Sequence, residues 1–203
     1  MQTHYATTHY ATNSTLCYAT FWQRLGANLI DSVVLGSLVV IYYWSESQSR
    51  EMAVAVLVAR NIVIAGYFVY CHGRWGQTLG KRAVGIRVVS LGGGPITWRQ
   101  AWLRSSVDLG FTALATGMSI FTLLTIADAD FFGVGWLQRS KNLGQLTPDW
   151  LRWTFTASRI WFWSEVVVML FNRQRRALHD FIAGTIVIAS KQNAIRTPAP
   201  SPS

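Results

Sequence analysis

The stretch FWQRLGANLIDSVVLGSLVVIYY, residues 21–43, is an apolar run that holds one arginine and one aspartate. About 20 helical residues cover the hydrocarbon core of a bilayer, so this run predicts a transmembrane helix. Arg24, Asn28 and Asp31 follow one another at helical spacing and therefore share one face. Because a carboxylate inside a membrane span is costly, we expect this face to contact other helices, water or a polar loop.

Three further apolar blocks follow the first, near residues 52–71, 105–127 and 154–171. The chain has 203 residues, of which 51% are hydrophobic, and the four blocks leave no stretch long enough for a separate soluble core. We therefore predict one all-α membrane domain over residues 21–190. It is a bundle of four transmembrane helices, or of three if the Trp-rich last block, which carries charges, does not cross.

The basic residues indicate an orientation. The net charge of +9 is concentrated beside the apolar blocks, which favours anionic lipid headgroups as partners and not nucleic acid. Residues 72–104 hold six Lys or Arg and no acid, and residues 172–203 hold five against one Asp. The connections 44–51 and 128–153 are net negative or neutral. The positive-inside rule then predicts a multi-pass protein of the inner cell membrane with both termini in the cytoplasm.

Short extended segments are predicted on the cytoplasmic side. Residues 83–90 are typical of a strand, and a Gly-rich turn leads to residues 96–98 as the second arm of a β-hairpin. The runs 85–89 and 184–188 are also alike, so we expect them to pair in a small sheet that forms part of a C-terminal cap.

Both ends of the chain are predicted to be disordered tails, over residues 1–20, which contain a tandem THYAT repeat, and over the Pro- and Ser-rich residues 191–203. Cys17 and Cys71 are the two thiols, and no metal-ligand spacing occurs. We therefore predict neither a metal site nor a bound cofactor.

Three carboxylates on three predicted helices fall at similar depth. Asp31 lies roughly 9–10 Å inside its helix at 1.5 Å per residue, Glu165 lies about as deep, and Asp108 is shallower. Their convergence would suit a path for protons or cations. Arg60, near the middle of its span, would need a carboxylate partner, Asp31 or Glu165. Arg104 lies four residues before Asp108, which predicts a local ion pair.

Two polar motifs outside the predicted spans have structural interpretations. The run GQTLGKR at 76–82 predicts a tight turn at the membrane surface, where Lys81 and Arg82 meet lipid phosphates. The pair His179 and Asp180 could serve as a general base with its orienting group, but no nucleophile stands in a recognisable context. We expect no enzymatic activity, and we expect Asp180 to accept hydrogen bonds from Arg24 or from loop amides.

Together these motifs resemble a family. FWxRLxAxxID at 21–31, GQTLGKR and GIRVV within 76–89, and ALHDxxAGTxV at 177–187 are similar to the three conserved blocks of the RDD family of small membrane proteins, in the family order. The resemblance implies that the arginine and two aspartates that name the family are Arg24, Asp31 and Asp180. It also implies a multi-pass membrane protein, for which ion transport has been suggested.

Two hypotheses of function follow. In the first, the chain is a cation or proton transporter, or a subunit of one, that uses Asp31 with Arg24 and Asp180 as gating or pairing charges. A candidate ion path would include Asp31, Asp108, Glu165 and Arg60. In the second, the chain is a scaffold or assembly partner whose charges only hold the helices together. A single small bundle is a thin transporter, so we expect a homo-oligomer or another membrane-protein partner.

Overall fold

The computed structural model describes residues 17–190, apart from the side chains of residues 149–151. Eight helices and two strands occur in this part of the chain. In chain order they are α1 Phe21–Glu46, α2 Arg50–Trp75, α3 Leu79–Ala83, β1 Ile86–Ser90, α4 Trp98–Thr125, α5 Asp128–Phe131, α6 Trp136–Gln145, α7 Asp149–Phe171, α8 Leu178–Ala183 and β2 Thr185–Ala189.

Three of the described helices are long and apolar enough to cross a membrane. These are α1, α2 and α4, of 26, 26 and 28 residues. At 1.5 Å per residue each extends about 40 Å, which exceeds the hydrocarbon core. The fourth predicted block lies in α7, a helix of 23 residues that is not among the three. The mostly helical membrane fold is confirmed, and a count of four spans stays a prediction.

The third span begins earlier than its apolar block suggests. Helix α4 begins at Trp98 because Thr97 and Gln100 form a capping box there. The Thr97 hydroxyl accepts from the Gln100 amide at 3.2 Å, and the Gln100 side chain accepts from the Thr97 amide at 2.9 Å. The predicted return arm at 96–98 is therefore wrong, since its last residue already belongs to the helix.

The partner of β1 is instead β2. The two strands pair antiparallel with Val88 opposite Val187, so the predicted pairing of these two runs is confirmed. Tyr18 forms a bridge with Ile188, and the Ala19 amide donates to the Val187 carbonyl at 2.9 Å. Residues 17–20, which were predicted to belong to the tail, therefore lie alongside β2. The rest of both predicted tails lies outside the described residues.

The helices run back and forth between two ends of the bundle. Since α1 and α2 are antiparallel around a short turn, the start of α1 lies beside the end of α2 and the start of α4. Helix α7 returns along α4 and leads to α8, which packs on α4 as well. We call residues 17–24, 72–104 and 172–190 the basic end, and residues 45–51 and 126–148 the opposite end.

Each end of the bundle has its own apolar core. At the basic end the two-stranded sheet covers the first turns of α1 and α4, with Ala27, Ile86, Val88 and Val187 buried. At the opposite end α5 closes the bundle, because the fully buried Phe131 packs against apolar residues of α2 and α4. The predicted connection 128–153 thus contains two short helices, α5 and α6, before α7 begins.

Candidate functional site

Asp180 lies fully buried at the basic end, in the first turn of α8. Its carboxylate accepts from Arg24 Nη1 at 2.8 Å, from Arg104 Nη1, from the Ala177 amide at 3.0 Å and from the Thr185 hydroxyl at 3.2 Å. The predicted bonds from Arg24 and from a loop amide to Asp180 are present. This carboxylate therefore ties α1, α4, α8 and β2 together.

The electrostatics of this cluster keep Asp180 ionised. Burial alone would raise the pKa of its carboxyl group, but the two guanidinium groups of Arg104 and Arg24 lower that pKa well below its usual range. Arg24 also donates from Nη2 to the Arg175 carbonyl at 2.6 Å. Since Arg175 has a positive φ of 50°, the connection from α7 to α8 turns sharply here and brings its carbonyl to the arginine.

Asp31 forms a second buried centre, about two helical turns beyond Arg24 along α1. It is 1% exposed and accepts from three donors, the Tyr67 hydroxyl at 2.7 Å, the Thr78 hydroxyl at 2.6 Å and the Gly80 amide at 2.8 Å. The Gly80 backbone lies directly on α1, because a Cβ there would fall 2.0 Å from the Ala27 carbonyl oxygen. Asp31 thus fastens α3 to α1 and α2.

The structure corrects the position of Lys81. Its side chain is buried, and Nζ lies 2.9 Å from Nε2 of the equally buried His72. The Lys81 side chain points inward because Thr78 caps α3 and this short helix packs against α1. The prediction that Lys81 contacts lipid phosphates is therefore wrong. Arg82 is exposed, and its contact with headgroups stays a prediction.

Arg104 connects the Asp180 cluster to α7. Its Nη2 lies 2.8 Å from His179 Nε2, and His179 Nδ1 is hydrogen-bonded to the Glu165 carboxylate. A guanidinium can only donate hydrogen bonds, so His179 Nε2 must accept one from Arg104. The ring proton is then on Nδ1, which donates a hydrogen bond to the Glu165 carboxylate. The chain from Arg104 through His179 to Glu165 therefore crosses from α4 to α7.

A cleft of about 900 Å³ lies between α1, α2, α4 and α7. Asp31, Asp108 and Glu165, the three carboxylates predicted to converge, all line it. Towards the basic end its other ionisable lining residues are Arg24, His72, Lys81, Arg104 and His179. Towards the opposite end the lining is mostly apolar, with Val39, Ile64, Phe111 and Phe155, and its polar residues, which include Asn61 and Thr154, are uncharged. The cleft is therefore polar at one end and apolar along most of its walls.

Two predicted pairings of arginines are wrong. Arg60 does not reach Asp31 or Glu165, since its guanidinium donates to the Asn61 side chain at 3.2 Å and lies over the Tyr42 ring, 4.8 Å from the centroid. It is also not among the residues that line the cleft.

Arg104 does not form its predicted local pair with Asp108. Its guanidinium donates to Asp180, to the Thr185 hydroxyl at 3.0 Å and to His179, because the buried α8 lies within reach. Asp108 is exposed to the cleft.

Sequence reasoning missed the donors to Asp31 and the second arginine on Asp180. Thr78 had a readable signal, since threonine is a preferred N-cap residue, and its hydroxyl accepts from the Lys81 amide at 3.2 Å. Tyr67 and Arg104 carried no signal of their own, because their partners lie 36 and 76 residues away.

The fold and this cluster define a class of protein, a small helical membrane protein with buried Arg–Asp contacts at one end of its bundle. The sequence model of the RDD family matches residues 18–184, most of the chain, so the chain belongs to the RDD family. The match spans Arg24, Asp31 and Asp180, on which the resemblance rested.

A curated relative adds to this assignment. A protein of Bacillus subtilis (strain 168), described as uncharacterized protein YckC, is 24% identical over 173 residues, which cover 83% of each chain. No solved structure matches the chain. The family membership is therefore carried by sequence.

Proposed function

We propose that this chain moves protons or small cations across the membrane, alone or as a subunit of a larger assembly, without enzymatic chemistry. The observation that supports this proposal is the cleft, into which α1, α4 and α7 contribute Asp31, Asp108 and Glu165. Ionisable groups inside a membrane bundle commonly mark pathways for ions or protons. The apolar walls beyond them would limit the entry of water, as a gated path requires.

The roles within the cleft differ from residue to residue. Asp31 is held by three donors and Asp180 by four, so both act as fixed charges that position the helices. Asp108 is exposed to the cleft, and Glu165 accepts a hydrogen bond from His179. These two carboxylates are therefore our candidates for groups that exchange protons or cations, with Arg24 and Asp180 as the pairing charges behind them.

A second candidate function is a scaffold that transports nothing. The specific observation in its favour is that Arg24, Asp31 and Asp180 are engaged within the protein by hydrogen bonds. Buried polar networks of this kind can specify one helix arrangement. Under this proposal the basic end would face the cytoplasm and bind anionic headgroups or a cytoplasmic protein.

Proteoliposomes with a pH-sensitive dye inside and pulses of Na⁺, K⁺ or Li⁺ outside would separate the two functions. We expect a cation-dependent proton signal from the full chain that falls strongly in Asp108→Asn. Asp130→Asn is the matched control, because this carboxylate is exposed at the opposite end. Silence from folded protein would overturn transport and favour the scaffold.

Asp31→Asn belongs in the same experiment. Loss of signal with normal accumulation would assign Asp31 to the path. Loss of accumulation would assign it to the fold. A reporter fused to the C-terminus would test the proposed orientation, since activity of a reporter that works only outside the cytoplasm would contradict it.

A further inference from the structure

Two arginines occupy matching positions in two helices that begin at the same end of the bundle. Arg60 lies ten residues after Arg50, where α2 begins, and Arg159 lies ten residues after Asp149, where α7 begins. At 1.5 Å per residue both lie about 15 Å from that end, which is near the middle of a bilayer core under the predicted count of four spans, on which this inference rests.

The two guanidinium groups have very different surroundings. That of Arg60 is half-buried, bonded to Asn61 and stacked over Tyr42. Arg159 is exposed and makes no hydrogen bond, ion pair or ring contact with any residue in the described part of the chain. A guanidinium in this situation cannot remain in hydrocarbon without a partner, because Arg at the centre of a span is strongly disfavoured.

Arg159 lies on the outer face of α7. The neighbouring Ser158, Trp161 and Phe162 line the cleft, whereas Arg159 does not. Trp163, one turn further on the same face, is 63% exposed. The helix packs on α4 and α8 through its other side, so nothing in the described chain covers this face.

The charge at this face restricts what can cover it. A second copy in the same orientation, packed face to face, would bring two Arg159 side chains together at equal depth, which like-charge repulsion disfavours. A carboxylate is the natural complement, because it accepts two parallel hydrogen bonds from one guanidinium.

We propose that the outer face of α7 binds a transmembrane helix of another membrane protein, and that this helix carries an Asp or Glu at mid-depth opposite Arg159. The pairing also gives a reason for two charged residues, Arg159 and Glu165, inside α7. Its Glu165 is satisfied inside the protein, and its Arg159 is satisfied by the partner.

The test uses the full chain in phosphatidylcholine vesicles and a synthetic transmembrane helix of leucines with one central Asp. Energy transfer between a dye on the chain and a dye on the helix reports association. We expect the Asp helix to associate about tenfold more tightly than an all-leucine helix, and Arg159→Leu to abolish the difference. Arg60→Leu is the matched control, since it makes the same change at the same depth in α2.

Retention of the difference in Arg60→Leu, with its loss in Arg159→Leu, is the expected result. Equal association of the Asp and all-leucine helices with the wild-type chain would overturn the proposal. Equal loss in both variants would also overturn it, because the contact would then depend on the bundle and not on Arg159. Arg159→Leu removes an exposed charge, so its folding is not expected to suffer.

Discussion

The two ends of the bundle differ in how many hydrogen-bond donors surround their buried carboxylates. At the basic end Asp180 receives four donors, and the deeper Asp31 receives three. At the opposite end Glu46 is only 2% exposed, and its carboxylate is hydrogen-bonded to the Tyr42 side chain, but its Oε2 has no hydrogen-bond partner in the described part of the chain. The nearest cation to that oxygen is Arg139 Nη1, at 4.0 Å.

This difference indicates which end of the bundle determines the arrangement of the helices. A fully bonded buried carboxylate fixes the elements around it, whereas a loosely paired one contributes little and can even destabilise. Arg24 and Asp180 lie at the basic end, and Asp31 is bonded to Thr78 and Gly80 of that end. Closure of the opposite end rests instead on the ring of Phe131, with the guanidinium of Arg139 at 4.8 Å and that of Arg50 at 5.3 Å from its centroid.

The largest expected effect comes from Asp180→Asn. This change removes the negative charge between Arg24 and Arg104 and leaves two buried guanidinium groups facing a neutral side chain. Breaking a buried pair of this kind costs about 3–5 kcal/mol of the free energy of unfolding. Denaturation in detergent micelles measures it. Asp128→Asn is the control, because this aspartate is 84% exposed in its pair with Arg50 and should cost at most about 1 kcal/mol. Equal losses would contradict the contrast between the ends.

Gly80→Ala tests the attachment of α3 to α1 at the basic end. The new Cβ would meet the Ala27 carbonyl oxygen at 2.0 Å, so α3 would have to move away from Asp31. We expect a loss of about 1–3 kcal/mol, typical of overpacking. Gly36→Ala is the matched control in α1, since a Cβ there meets nothing within 4 Å and should be neutral or slightly stabilising. A harmless Gly80→Ala would show that this contact is not required.

Lys81, at the basic end, makes the free energy of unfolding depend on pH. Burial, and then the charge of Arg104, lowers the pKa of Lys81 from 10.5 to about 7. Between these values the unfolded chain holds a proton that the folded chain has released. The contribution of Lys81 to stability therefore rises with pH, by at most about 1.4 kcal/mol per unit.

We expect the stability of the wild-type chain relative to Lys81→Met to increase from pH 7 to pH 9. Melting temperatures of both proteins in the same buffers measure this difference, in which the other titrating groups cancel. A flat or falling difference would mean that Lys81 keeps its proton in the fold.

Much of the basic end could be predicted from sequence. Apolar runs locate α1, α2 and α4, the similar patterns of β1 and β2 predict their pairing, and Asp180 is predicted to accept hydrogen bonds from Arg24 or from loop amides. These signals are local or repeat along the chain. The predicted hairpin is wrong because the capping box of Thr97 and Gln100, which is readable in the sequence, starts α4 at Trp98.

The partners of the arginines could not be predicted in this way. For Arg104 the sequence offers Asp108 one turn away, but the buried Asp180 comes within reach only when α8 packs on α4. For Lys81, α3 has five residues, too few for a pattern that tells inside from outside. Which of several carboxylates an arginine contacts depends on how the helices pack. The spacing of residues along one helix does not give that information.

Glu46→Gln should change the free energy of unfolding least, and it tests the opposite end directly. The substitution keeps the shape of the side chain and removes a buried charge that Arg139 meets only at 4.0 Å. Because Arg139 is also held by its bond to the Phe131 carbonyl, at 2.8 Å, it does not depend on Glu46 for a partner. We expect a change within about 1 kcal/mol in detergent denaturation, of either sign. A loss as large as that of Asp180→Asn would mean that both ends specify the fold equally, and the contrast between them would fail.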